Sequence, residues 1–508
     1  MKFNIFSVPS GSVQPLKAKF GDVGLKAIHQ DETSGWQSIF YFSTEQEPAS
    51  IPWVETYAEY FGDSLPTNLI YFAAYLFEKD GRCYVLSYGK SHFYIRQFCD
   101  HDFGIEVVKR IGDHNNTRQT SVRRLTGRRK RQIRSQARGT ALDLESGEAV
   151  DYLQTDISPE YRNRFGPSAK FGSSILLNAP ITKDEIGDLF DNLDYALKGV
   201  PRFSLPRTAI VNEEEEISRY DSRLLSAIAG ASQAAEFADE GHDVVGVDFV
   251  FRRNERYALS CRGYDKLELD DDDLNIDALR SYVRNQRIPA NRILSIRVRV
   301  DNEGQKSYSR KLKDSLDFVV EGENVMLREG KWVRFNEDYL DQLHTSIDGI
   351  AVEEVEADLE YITEIEGSFN DKVGELGYVS ADKNFGIVST RASTPVEAWD
   401  LYRDGTVYAV KFGTTQKINY VCDQASLVLE IIRNNANIHE LDQELRAYCL
   451  WLGFARKTSI ARISEVNSLI LKHKIDDWAR RCRELGIEPR LKFSRRHREP
   501  RKRAAKAK

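Results

Sequence analysis

The chain lacks the short signatures that most often name a chemistry. There is no GxxxxGK[ST] loop, which disfavours a P-loop NTPase. GxGxxG after a strand, GxSxG and HExxH are also missing, so dinucleotide, serine-hydrolase and zincin chemistries have no foothold. Cysteine is sparse: Cys83, Cys99, Cys261, Cys422, Cys449 and Cys482 stand far apart with no CxxC pair. That spacing suits neither a zinc site nor a disulfide framework, and it fits free thiols in a reducing cytosol. No stretch approaches the roughly 18 apolar residues of a membrane helix, and the start lacks a signal-peptide core. The expected setting is therefore cytoplasmic, without a membrane partner.

What is present is length and segregated charge. At about 100–200 residues per domain, 508 residues imply several domains. The net charge of -6 hides two basic concentrations. Residues 109–138 carry eleven Lys or Arg against one acid, Asp113, and residues 489–508 carry ten against Glu499. Acid collects elsewhere, as in Glu213-Glu214-Glu215-Glu216 and Asp270-Asp271-Asp272-Asp273. The first basic segment holds Arg118, Arg123, Arg124, Arg128, Arg129, Lys130, Arg131, Arg134 and Arg138, interleaved with Ser, Thr, Asn and Gln. These side chains contact phosphates in nucleic-acid complexes. The competing reading is a solvated surface that pairs with the chain's own acids. In the tail, Arg495, Arg496 and Arg501 are the candidate backbone contacts, and a solubility tail without a partner is the alternative.

The expected fold class is α/β (α+β), multi-domain. An α+β domain is expected over 1–108, with a tight turn at Lys79-Asp80-Gly81. A basic segment, looped with some helix, spans 109–140, and a mixed middle domain spans 141–350. In the latter the spacing predicts a helix over 183–197, a hairpin over 243–261 and a half-buried strand over 293–300. A meander is expected over 316–335. Residues 353–366 read as an acidic helix, and 396–402 and 406–412 as strands facing across Arg403-Asp404-Gly405. A helix follows over 417–434. A helical extension (436–488, beginning with a helix over 441–452) and a disordered basic tail (489–508) complete the chain.

Within 351–435 the order is an acid (Glu366), a strand with Glu397 and Asp400, a hairpin, a strand with Lys411, and a helix with Gln424. This order resembles the restriction-endonuclease-like nucleases. The resemblance implies a restriction-endonuclease-like core in which Glu366 and Asp400 hold Mg²⁺, Lys411 steadies charge on the scissile phosphate and Gln424 orients the site. The pattern wants an acid two residues before the lysine, and Ala409 stands there. Glu397 substitutes only if a bulge turns it to the face of Asp400. A Mg²⁺-dependent nuclease, a related fold that binds without cutting, and ordinary surface carboxylates all remain open.

Several stretches in order, among them 101–108 (HDFGIEVV), 330–333 (GKWV), 366–370 (EGSFN), 396–401 (VEAWDL), 409–411 (AVK) and 414–426, resemble the sporadically distributed bacterial family known as domain of unknown function 6119. The likeness covers about residues 1–435. It implies anti-phage or mobile-element defence and leaves the activity open. The resulting expectation is a nucleic-acid-binding protein, with DNA ahead of RNA. The alternative is a non-catalytic DNA or RNA sensor or scaffold that acts through a protein partner.

Overall fold

The computed structural model describes residues 2–496 except 45–47, 63, 125–130, 138, 230–247, 250–255, 270–273, 275, 302–306, 321, 363–368, 370–371, 381–398, 414, 434–444, 455–459 and 467. The chain forms two compact units, 1–207 and 208–508. Both mix α and β.

The first unit is built on ten strands: β1 (Lys2–Ser7), β2 (Leu25–Thr33), β3 (Trp36–Ser43), β4 (Ala73–Lys79), β5 (Arg82–Tyr88), β6 (Gly112–Arg124), β7 (Arg131–Ser135), β8 (Glu148–Ile157), β9 (Ser168–Phe171) and β10 (Ile175–Asn178). They form one sheet in the order β2-β3-β4-β5-β1-β10-β9-β8-β6-β7. The expected turn joins β4 to β5: Asp80 and Gly81 both take positive φ, 50° and 75°, as a two-residue hairpin of the right twist requires. Helix α1 (Ser10–Asp22) buries Val13, Leu16 and Phe20 in one core. Helices α2 (Phe103–Ile111) and α3 (Ile186–Leu197) close another.

The basic segment departs from expectation. Where described it is mostly strand: after the end of α2, β6 and β7 are sheet strands, and β6 pairs along its length with β8. The boundary expected at 108/109 falls inside α2, which runs directly into β6. Thr, Ser and Val in β6 supply side chains that a pleated surface takes up, with Thr117, Thr120, Ser121 and Val122 buried.

The second unit carries three sheets. One contains β11 (Thr208–Ile210), β12 (Asp248–Phe249), β17 (Leu316–Val320), β18 (Val325–Arg328) and β19 (Lys331–Phe335), and the expected meander is its β17–β19. A second contains β13 (Arg256–Ser260), β14 (Leu267–Leu269), β15 (Arg297–Asp301) and β16 (Tyr308–Lys311), in the order β14-β13-β15-β16. The expected 243–261 hairpin does not form: β12 pairs with β17, and β13 with β14 and β15. Helices α4 (Glu214–Ala229) and α5 (Ile276–Asn285) pack with these sheets through one core.

The third sheet holds β20 (Ala351–Val352), β21 (Tyr361–Ile362), β22 (Val379–Ser380), β23 (Leu401–Arg403), β24 (Thr406–Gly413), β25 (Ala447–Phe454) and β26 (Glu488–Arg496), in the order β20-β26-β25-β24-β23-β22, with β21 also on β26. β23 is antiparallel to β24, whereas β24, β25 and β26 run parallel. Helix α6 (Glu337–Asp348) precedes the sheet. Helices α7 (Thr415–Arg433) and α8 (Leu469–Glu484) follow β24 and β25 and share one core with α6 on one sheet face. Asn336 caps α6 by accepting from the Tyr339 N–H at 3.0 Å.

Three expectations are overturned in this sheet. Residues 353–366 form no helix where described, but a short 3₁₀ turn (Ala357–Leu359) and β21. The helix over 441–452 is replaced by β25, whose eight residues are all buried. A strand covered on both faces carries a continuous apolar run, which periodicity alone cannot tell from a buried helix. Finally, 489–496 of the presumed tail lie in β26, held between β25 and β20–β21.

Candidate functional site

The hairpin β23–β24 carries Lys411 and is entered at Asp400. Asp404 and Gly405 form its turn at φ 49° and 76°. Asp400 stands just before β23. Its N–H donates to the Tyr408 carbonyl at 2.9 Å. Its Oδ2 accepts the Val410 N–H at 2.6 Å, extending the ladder with a side chain. Asp400 is thereby drawn to the backbone next to Lys411, which is half-buried toward the end of β24. Ala409 is 3% exposed and packs with Val407 against Ile418, Val421 and Ala425 of α7. Gln424 lies half-buried on α7 beside Ala425. The Asp400 carboxylate is thus bound one residue before Lys411 on β24, and Gln424 is on the helix that covers that strand. Glu366 and Glu397 lie outside the described residues.

The fit to Mg²⁺ follows from the donors. The ion takes near-octahedral oxygen coordination through carboxylates. Position 409 offers no oxygen, and one oxygen of Asp400 already accepts a backbone N–H. Among the described residues no three His, Cys, Asp or Glu side chains form a metal-holding group. The described residues do not by themselves fit the ion.

The opposite face of the same sheet holds a charge cluster that sequence reading missed. Lys492, on β26, is 1% exposed. Its Nζ donates to the Tyr378 hydroxyl at 2.9 Å and lies 3.0 Å from Glu356 Oε2 and 3.3 Å from Glu353 Oε1. Tyr378 donates to Glu356 Oε1 at 2.9 Å, and Tyr408 to Glu353 Oε1 at 3.0 Å. The Trp451 ring lies 4.4 Å from the ammonium. Burial works against the charged lysine, but the hydrogen bonds to Tyr378 and Glu356 outweigh it and hold the pKa above its ordinary value. Two glutamates met by Lys492 and Arg403 form a closed, balanced network that ties residues 353–356 to the sheet. A lysine inside a basic run gave no sign of this. The only available signal was the alternation Leu491, Lys492, Phe493, Ser494.

The two basic segments meet different fates from those their charge count implied. Along β6, Arg118 pairs with Asp156 and Arg123 with Asp151. Arg124 reaches Glu145 and, at 3.0 Å, Glu148. Arg134 of β7 also reaches Glu148, which is fully buried. The matching acids were absent from the segment but come from the neighbouring strand β8 and the turn before it. Arg131 opens β7, and Arg128, Arg129, Lys130 and Arg138 lie outside the described residues. In the tail, Arg495 bonds Glu360 at 2.8 Å, Arg496 ends β26, and Arg501 lies outside the described residues.

All six cysteines are buried and free. Burial pushes the Cys83 and Cys99 thiols up to about 12, which removes thiolate chemistry there. No helix among the described residues is long and apolar enough to cross a membrane.

Residues 13–450 match the family of unknown function DUF6119, and the chain belongs to that family. No curated protein matches the chain significantly. No solved structure does so either.

Proposed function

We propose that this chain is a nucleic-acid-binding protein whose C-terminal sheet is a nuclease-type platform that holds a phosphate. The observation that carries this reading is the approach of Asp400 to the backbone beside Lys411 across a tight hairpin, with α7 following β24 directly. An acid before one strand, a lysine on the next and a covering helix with a glutamine is the order of restriction-endonuclease-like nucleases. Lys411 supplies the phosphate contact, and Asp400 fixes the hairpin that presents it.

Binding without cutting is favoured over cutting by Ala409 and by the Val410 N–H on Asp400. The cutting alternative requires Glu366 and Glu397 to supply the missing oxygens. Gel-shift titrations of labelled duplex DNA, single-stranded DNA and RNA across a salt series, with and without Mg²⁺, separate these. Salt-sensitive binding with no cleavage, weakened at least several-fold by Lys411→Ala, is the expected result. Mg²⁺-dependent cleavage abolished by Asp400→Ala would establish the enzyme instead. No binding at low salt overturns the reading.

A further inference from the structure

The sheet β14-β13-β15-β16 turns one face to a core and the other to solvent. On β15, Val298 and Val300 are fully buried while Arg297 and Arg299 are exposed. The register sets their neighbours. Arg297 is opposite Ser260 on one side and Lys311 on the other; Arg299 is opposite Ala258 and Ser309. Arg256 joins the same face opposite Asp301. Four cations therefore share this face. Among the described residues the acids on it are Asp301, which takes the Arg299 Nε at 3.0 Å, and Glu268, which is engaged by Lys266 at 2.7 Å. Among the described residues no carboxylate pairs with Arg256, Arg297 or Lys311.

This arrangement opposes the stability of the sheet. Like charges directly opposite on neighbouring strands repel, and Arg297 and Lys311 are such a pair. Basic residues on an edge strand guard against edge pairing, which accounts for Lys311 and Arg310 on β16. It does not account for two exposed arginines on β15, which has a neighbour on each side. The arginines are also held in place. Arg297 Nε donates to Ser309 Oγ at 2.9 Å, and Arg299 Nη2 to Ser307 Oγ at 3.2 Å. Cations two apart on a strand stand about 6–7 Å apart, and those on adjacent strands about 5 Å apart. Tyr308 and Arg310 of β16 stand opposite Val300 and Val298 and so belong to the other face of the sheet.

We infer that this sheet face binds a single strand of nucleic acid. Arg256, Arg297, Arg299 and Lys311 take successive backbone phosphates. A flat face without a projecting helix among its described residues suits an open strand better than a duplex groove. This rests on the nucleic-acid-binding reading and assigns it a surface separate from Asp400 and Lys411.

The test uses the full chain and a labelled oligothymidylate, with anisotropy measured across a salt series. Losing three phosphate contacts in Arg297→Gln/Arg299→Gln/Lys311→Gln lowers the slope of log K against log salt by about 2, at about 0.7 per contact. Tyr308→Ala, on the other face, leaves both affinity and slope unchanged. Thermal melting of each variant checks that the fold is intact. If the wild type binds and the triple variant keeps its slope, this surface is excluded while the binding reading stands. An equal fall in slope on duplex DNA overturns the single-strand assignment. Absence of wild-type binding overturns both.

Discussion

Two sheets of this protein carry rows of arginine, and they differ in what stands across the strand. On β6 of the first unit, Arg118, Arg123 and Arg124 each meet an acid from β8 or the turn before it. On β15 of the second unit, Arg297 and Arg299 face serine, alanine and lysine across the strand, and Arg299 alone meets an acid, Asp301 of its own strand. Counted along the sequence, the first row is by far the more basic. Counted across the sheet, it is largely neutralised where described and the second is the surplus. A basic run therefore announces an interface only after the neighbouring strand has been read.

The comparison breaks most visibly at Glu148, which lies fully buried under both Arg124 and Arg134. Removing one partner of a buried charge group leaves the rest uncompensated, so Glu148→Ala is expected to cost about 3–5 kcal/mol. Asp301→Ala, which strips the acid from the exposed row, is expected to stay within about 1 kcal/mol. Urea denaturation of the two variants measures both, and equal effects would erase the distinction.

The same contrast between met and unmet cations extends into the third sheet and its helices. Lys492 has acids and stays charged. His473, on α8, is buried against Phe335 and Tyr339, and its pKa is lowered to about 3, first by burial and then by Arg328, with Asp477 opposing. A depressed histidine resists a proton in the folded chain that the unfolded chain accepts from pH 6.5 downward. Its contribution is fully present above that value and is lost as pH falls from 6.5 toward about 3. The loss is on the order of a few kcal/mol over that span. His473→Phe should flatten the acid limb of the stability–pH curve, and an unchanged limb would assign the acid sensitivity to other groups.

The smallest effect is the most diagnostic. Lys311→Thr removes the like charge opposite Arg297 and should raise stability by a few tenths of a kcal/mol while weakening nucleic-acid binding. A change that stabilises the fold and harms binding marks a residue kept for its partner.

Much of the fold was legible where side-chain period and turn chemistry agreed. The Asp80-Gly81 and Asp404-Gly405 hairpins, the 316–335 meander and helices α3 and α7 all follow from local signals. What failed was set by distant partners. β25 looks helical because burial on both faces erases alternation, and β26 looks disordered because Glu353 and Glu356, far back in the chain, are what make Lys492 tolerable inside. Of the nuclease-like residues, the pairing of Asp400 with the strand of Lys411 could be read from the hairpin. The hydrogen bond from Val410 to the Asp400 carboxylate could not, because it depends on where β23 begins.

The position of β26 also sets an order of events during synthesis. β25 is apolar along its whole length and lies between β24 and a strand that leaves the ribosome more than thirty residues later. Until residues 488–496 emerge, the nascent chain presents β25 with one side unpaired, an open template for other chains. A message cut short before that point should therefore yield aggregate, and translation through β26 is what commits this unit to its native sheet.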